Sequence, residues 1–390
     1  MENIRETLEQ TFLEKYGDMS TNTYFSPGRV NLIGEHIDYN GGYVFPCAIT
    51  QGTYGVARKR EDKTVRCYSL NFPAFGPVEF NLDEINYDKA DDWVEYVKGM
   101  VQFTLEAGYP IEHGFDLVIY GNIPNGAGLS SSASLELLVG VLLKDLYELE
   151  LTRLDLIKMG QRVENEVIGL NSGIMDQFAI GKGQKDMAIY LNTNDLDYEL
   201  VPADFKENVL LIMNTNKRRE LAGSKYNQRR QECENALEIL QLETTISTLG
   251  DLTVEQFEKY KQAIADDILL RRARHVVYEN DRVRETVEVL KQGNLERFGE
   301  LLTASHLSLK EDYDITGNEL DTLVDAALSQ DGVLGARMTG AGMGGCAIAL
   351  VHEEKVNSVI EKVQKKYTEA IGYEASFYVA EVGDGAKVLN

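Results

Sequence analysis

The stretch Pro124-Asn125-Gly126-Ala127-Gly128-Leu129-Ser130-Ser131-Ser132-Ala133-Ser134 sets two glycines and a run of hydroxyls ahead of an apolar segment from Leu135 to Leu146. Upstream, Phe115 to Tyr120 alternates as a strand, so the layout predicts strand, glycine-rich turn, helix. N–H groups at a helix start have no intrahelical partner, the helix dipole favours negative charge there, and glycines let a bulky anion reach the main chain. Serine hydroxyls can add hydrogen bonds or ligate a metal. The stretch reads as a phosphate cradle or, more plainly, as a turn capping a helix. The P-loop sequence G-x-x-x-x-G-K-[ST] occurs nowhere in the chain.

A second polar cluster lies between two apolar runs, in Ser26-Pro27-Gly28-Arg29-Val30-Asn31-Leu32-Ile33-Gly34-Glu35-His36-Ile37-Asp38-Tyr39-Asn40-Gly41-Gly42. Glu35, His36 and Asp38 can line one loop, and carboxylates with an imidazole suit a ligand that offers many hydroxyls. A metal is the rival ligand, although Glu-His-x-Asp is not a zinc spacing. Arg29 stays charged and can grip phosphoryl oxygens at two points, or form a structural salt bridge. Further on, a helix is predicted to end near Gly169. That leaves Asp176 in a glycine-flanked loop beside apolar residues, where a carboxylate is costly unless paired or functional. Glu164, on that helix, is a hard oxygen donor of the kind Mg²⁺ prefers. Gly340, Gly342 and Gly345 satisfy G-x-G-x-x-G, but Cys346 to Val351 reads as a strand where a dinucleotide fingerprint needs a helix. A turn packing near the first glycine loop is expected instead.

The elements that must hold these loops come from a chain of 390 residues, which favours two domains over one core. Helices are predicted over 2–17, 93–105, 134–149 and 153–168, and strands over 23–33, 43–58, 64–72, 187–191 and 209–213. All prolines lie at or before Pro202; beyond it the chain is mostly charged helix, at 224–241, 254–265, 268–280, 281–292, 295–305 and 318–329. A strand, a helix and a strand close it, over 347–351, 354–371 and 375–382. The boundary is placed near residue 204. The charge-rich faces of the later helices read as solvated surface. A net charge of −24 argues against nucleic acid or an anionic membrane as partner. Scattered cysteines (Cys47, Cys67, Cys233, Cys346) fit free thiols in a reducing cytoplasm. Residues 1–6 lack the basic and apolar pattern of a signal peptide, and no stretch approaches the ~20 apolar residues that span a bilayer.

Taken in order, the 124–133 motif, Asn171-Ser172-Gly173-Ile174-Met175-Asp176-Gln177 and the Gly340–Gly345 turn resemble the GHMP family of small-molecule kinases. The segment from Gly28 to Gly42 is similar to the signature of the galactose-phosphorylating branch of that family, and the likeness runs from about residue 20 to 380. It implies an α+β, two-domain GHMP kinase: a ribosomal-S5-like domain over 1–204, a ferredoxin-like domain over 205–390, and the active site between them. The implied reaction moves the γ-phosphoryl group of ATP to the 1-hydroxyl of α-D-galactose. By position, Asp176 matches the catalytic base and Arg29 the arginine that stabilises the transferring phosphoryl group. Ser131 and Glu164 match Mg²⁺ ligands. Glu35, His36, Ile37 and Asp38 match the galactose loop, and Tyr226 a tyrosine touching the sugar. Asn125, Gly126, Ala127, Gly128, Leu129, Ser130 and Ser131 would hold the ATP phosphates, with Ser69 and Trp93 at the adenine. Ser172 and Asn165 stand where many such enzymes have Cys and His, which touches loop detail and not the chemistry. A cytoplasmic monomer with small-molecule substrates, galactose and ATP, is expected. The rivals are a kinase of the same family acting on another sugar, such as N-acetylgalactosamine or arabinose, and a sugar sensor that keeps the fold without turnover.

Overall fold

The computed structural model describes residues 2–124, 127–217 and 222–389. Helix α1 (Glu2–Tyr16) opens the chain, followed by strands β1 (Asn22–Asn31), β2 (Tyr43–Val44), β3 (Pro46–Lys59), β4 (Thr64–Ser69) and β5 (Val78–Asn81). Helix α2 (Val94–Glu106) then leads to β6 (Phe115–Gly121), α3 (Ser131–Leu146) and α4 (Arg153–Arg162). The stretch predicted as one strand over 43–58 is split at Phe45, because β2 and β3 enter different sheets. The long β3 pairs antiparallel with β1 on one side and β6 on the other. Leu8 and Phe12 of α1 cover one face of this sheet with Phe25, Tyr54 and Val118. On the other face lies α3, buried nearly all round from Ala133 to Leu143, which is why its sequence is apolar on every side.

The helix predicted over 153–168 changes winding at Val163 and ends as a π-helical turn, Val163–Ile168, which buries Glu164. Such wide turns are frequent at functional sites. Asp176 is not in a loop: it sits in the first turn of α5 (Met175–Lys182). An eight-residue helix bounded by glycines gives little periodicity to read, and an acidic residue in a first turn is favoured by the helix dipole. Strands β7 (Met187–Asn192) and β8 (Tyr198–Pro202) join β2 in a three-stranded sheet.

The chain then crosses to a third, four-stranded sheet through β9 (Asn208–Asn214). Four helices follow: α6 (Ala222–Leu240), α7 (Val254–Tyr260), α8 (Asp267–Lys291) and α9 (Leu295–Glu311). After α10 (Asn318–Leu328) come the hairpin β10 (Val333–Thr339) and β11 (Cys346–His352), then α11 (Val356–Ile371) and β12 (Ser376–Ala380). The order β10-β11-β9-β12 is antiparallel throughout. The break predicted at 280/281 is absent, and α8 runs unbroken for 25 residues. The weak helix former Asn280 is tolerated because its side chain is used: Oδ1 accepts from the Tyr43 N–H at 2.7 Å and Nδ2 donates to Gly250. A last strand, β13 (Lys387–Leu389), returns to pair with β1, tying the chain end to the first lobe. The six-stranded sheet therefore reads β13-β1-β3-β6-β4-β5.

Candidate active site

Arg29 lies at a bulge in β1, where the register with β3 shifts between Pro27 and Arg29. Bulges re-aim a side chain, and here the backbone is pressed onto the turn before α3. The Arg29 N–H donates to the Leu129 carbonyl, and a Cβ at Gly28 would stand 2.7 Å from that same oxygen. The guanidinium donates through Nε to Asp176 Oδ1 at 2.9 Å and through Nη2 to Oδ2 at 3.1 Å. Its Nη1 donates to the Gly128 carbonyl at 2.8 Å. Burial opposes the charge of Arg29, but Asp176, Glu35 and Asp38 together hold its pKa above the usual value. Ser130, in a left-handed conformation (φ 61°), donates its hydroxyl to Asp176 Oδ2. One carboxylate thus joins β1, the glycine–serine turn and α5, with 33 % of its side chain open.

Around this pair opens a cleft whose lining includes Glu35, His36, Asp38, Ser131, Glu164 and Tyr226. Asp38 accepts from the N–H groups of Tyr39 and Met175. Burial and the charge of Asp176 push its pKa up to about 7. Glu35 is fully buried and pairs with Arg337 at 2.8 Å. The Ala341 carbonyl can only accept, so His36 Nε2 carries its proton and Nδ1 accepts from the Tyr39 hydroxyl at 2.9 Å. Tyr39 in turn accepts from Tyr313 at 2.8 Å. Burial, reinforced by His275, lowers the His36 pKa to about 3, in keeping with a neutral ring. With both nitrogens engaged, His36 offers the cleft its ring surface, 5.1 Å from the ring of Tyr226. Tyr226 and Gly173 line this cleft with Asp38.

Burial pushes the Glu164 pKa up to about 7, while the nearby Ser132 hydroxyl pulls it down. Ser131 lines the same cleft from the exposed first residue of α3. Ile37 is wholly buried beneath the loop, and Ala127 and Leu129 are buried in the turn. Ser69 and Trp93 do not line the cleft: the Ser69 hydroxyl accepts from Asn71, and the buried Trp93 indole N–H has no partner among the described residues. Asn125 and Gly126 lie outside the described residues. The glycine turn at 340–345 joins β10 to β11 and meets the first turn directly, since a Cβ at Gly340 would stand 2.7 Å from the Gly128 carbonyl. The sequence assigned no individual role to Ser132, Gln177, Arg337 or Ala341, although Ser132, Gln177 and Ala341 lie within the quoted motifs and Arg337 stands just before one.

The bidentate Arg29–Asp176 pair thus stands beside the start of α3, over a cleft of hydroxyl-seeking groups. The family model "GHMP kinases N terminal domain" matches residues 95–184, and "GHMP kinases C terminal" matches 286–369. The "Galactokinase galactose-binding signature" matches residues 10–59. The chain is 57 % identical over 385 residues to the galactokinase of Streptococcus suis, covering 99 % of each chain. It is 55 % identical to that of Ligilactobacillus salivarius, covering 99 % of this chain and all of the other. The crystal structure of Lactococcus lactis galactokinase complexed with galactose superposes with a TM-score of 0.97 at 53 % identity, over 99 % of this chain and 100 % of that one. The mevalonate kinase of Methanococcus jannaschii, 22 % identical with a TM-score of 0.65 over 93 % of this chain and 99 % of that one, shares the fold. The chain belongs to the galactokinase family.

Proposed function

We propose that this cleft transfers the γ-phosphoryl group of ATP to the 1-hydroxyl of α-D-galactose, with Asp176 as base and Arg29 as the charge-stabilising group. The activity itself is that of the family, an ATP-dependent phosphorylation of galactose. The observation that carries the assignment of roles is the bidentate Arg29–Asp176 pair, which faces the sugar loop and also touches the Gly128 turn. Asp176 takes the hydroxyl proton as the sugar oxygen bonds to phosphorus and the bond to ADP breaks. Arg29 orients Asp176 through two hydrogen bonds and meets charge on the transferring group. Glu35, Asp38 and Tyr226 bind the sugar hydroxyls, and His36 closes the pocket with its ring.

The donor set of hard oxygens at Ser131, Ser132 and Glu164 fits Mg²⁺, and Glu164 is a buried carboxylate with no cationic side chain against it among the described residues. When bound there, the ion would offset phosphate charge. We further assign residues 1–204 and 205–390 to two domains, with the last strand crossing back, and take the protein to be a cytoplasmic monomer. Four buried cysteines, none of them in a disulfide, support a reducing compartment. Among the described residues no helix is long and apolar enough to cross a membrane.

The test is ADP release with ATP and Mg²⁺ across galactose, glucose, N-acetylgalactosamine, arabinose, mevalonate and homoserine. Turnover with galactose above all others is expected. Preference for another acceptor would overturn the sugar loop, and binding without turnover would indicate a sensor.

Two further results are expected from the loop. The ionised form of Asp38 is the one that accepts sugar hydroxyls, and a pKa near 7 means that it takes up a proton as pH falls. The KM for galactose should therefore rise from pH 8 to pH 6 and level off above pH 8, and Asp38→Asn should raise KM and flatten the profile. A KM independent of pH in the parent protein contradicts this. Gly173 is the other lever, because a Cβ there would fall 2.1 Å from Asp38 Oδ2. Gly173→Ala must displace that carboxylate, and the KM for galactose should rise roughly tenfold while that for ATP changes little. An unchanged galactose KM would separate Asp38 from sugar binding.

A further inference from the structure

The backbone of the sugar loop is strained. Gly34 has φ 97° and His36 φ 61°, and a left-handed His persists only where its surroundings over-determine it. Those surroundings come from the other lobe. Glu279, on α8 and wholly buried, accepts at Oε1 from the N–H groups of Gly34 at 3.0 Å and Glu35 at 3.3 Å. Ser305 donates to that same oxygen at 2.6 Å, and Arg282 donates to Oε2 at 2.7 Å. One helical turn earlier, His275 Nε2 meets the Glu35 carbonyl at 3.0 Å, so it carries the proton, and Nδ1 accepts from Ser308. Both sides of the Glu35 backbone are therefore fixed by one helix some 240 residues away. Paired donors of this kind form a small anion-binding concavity, and the Glu279 carboxylate fills it.

We infer that Glu279 is a positioning residue for galactose recognition: without touching the cleft, it sets the loop from which Glu35, His36 and Asp38 face the sugar. The inference rests on the reading of that loop as the sugar site. Glu279→Gln keeps the volume but turns an amide, half of it a donor, toward two N–H groups. Loss of a charged buried acceptor should raise the KM for galactose by roughly tenfold or more. The KM for ATP should stay within about twofold and kcat within about threefold, because the Arg29–Asp176 pair and the Gly128 turn do not rest on Glu279.

The experiment compares the parent, Glu279→Gln and Asp38→Ala in full-length protein, with KM for both substrates and kcat. A selective rise in galactose KM in both variants supports the inference. A rise with Asp38→Ala alone overturns the role of Glu279 and leaves the sugar loop standing. No rise with Asp38→Ala overturns the sugar-loop reading, and the inference with it. Equal damage to both KM values and to kcat in Glu279→Gln reduces the residue to a structural one. Should Glu279→Gln not fold, Glu279→Asp takes its place: the shorter carboxylate keeps the charge facing Arg282 but withdraws from the loop, and the same selective rise is expected.

Discussion

Replacing Asp176 by Asn is expected to lower turnover by roughly 10²–10⁴-fold, the usual contribution of a positioned base, while galactose still binds. The variant keeps size and shape. The amide can still accept one hydrogen bond from Arg29 and one from Ser130, which now hold the carboxylate between them. What disappears is the negative charge that draws the hydroxyl proton. Breaking a buried ion pair is ordinarily severe, since it strands the partner. Here the damage is limited on both sides: 33 % of the Asp176 side chain is open to water, and Arg29 keeps the Gly128 carbonyl together with the fields of Glu35 and Asp38. The fold should survive. Initial rates of ADP release, calorimetric titration with galactose and a thermal melt together decide the matter. Near-normal turnover would remove the base assignment, and loss of sugar binding alongside turnover would show that Asp176 is chiefly a sugar ligand.

The residues of this pair were legible because local chemistry announces them: an arginine after Gly28 in a polar cluster, a carboxylate beside apolar residues, hydroxyls after a glycine turn. Their meeting across 147 positions was not legible from spacing and came only with the resemblance. The same limit explains α8. Read as solvated charge, it buries Arg272, His275, Glu279 and Asn280 on its inner side. These residues occupy the spacing that apolar residues usually take, and only the tertiary partners say so: a strained loop for Glu279 and His275, a strand N–H for Asn280. Arg337, the largest side chain buried without exposure, was passed over for a similar reason, although it stands just before a glycine turn that was noted. Its guanidinium caps the Asn31 and Leu32 carbonyls and the Glu35 carboxylate, all of them some 300 residues earlier. The short strand β13 has only three residues, too few for any period to show. Apolar periodicity revealed the layers; buried polar contacts between distant segments built the site, and those carry no local pattern.

Arg29→Ala is expected to cost more than any substitution in the sugar loop, roughly 10³-fold or more in kcat, on the scale of arginines that meet phosphoryl charge in other transfer enzymes. The structure gives the guanidinium three duties at once. It holds Asp176 at two points, it ties the Gly128 carbonyl, and it supplies positive charge where the protein as a whole is at −24. Alanine removes all three, while the sugar loop keeps its supports from Arg337, Glu279 and His275. The KM for galactose should therefore move by less than about tenfold, the signature of an interaction made mainly in the transition state. Arg29→Lys separates the duties: a point charge is restored without the planar two-point grip. It should recover part of kcat and leave Asp176 less firmly oriented. Full recovery with Lys would mean that charge alone matters. An unchanged kcat with a collapsed galactose affinity in Arg29→Ala would move Arg29 from the phosphoryl group to the sugar. The intermediate result is the one expected, because the two Arg29–Asp176 hydrogen bonds, at 2.9 and 3.1 Å, are matched to a fork that an ammonium cannot reproduce.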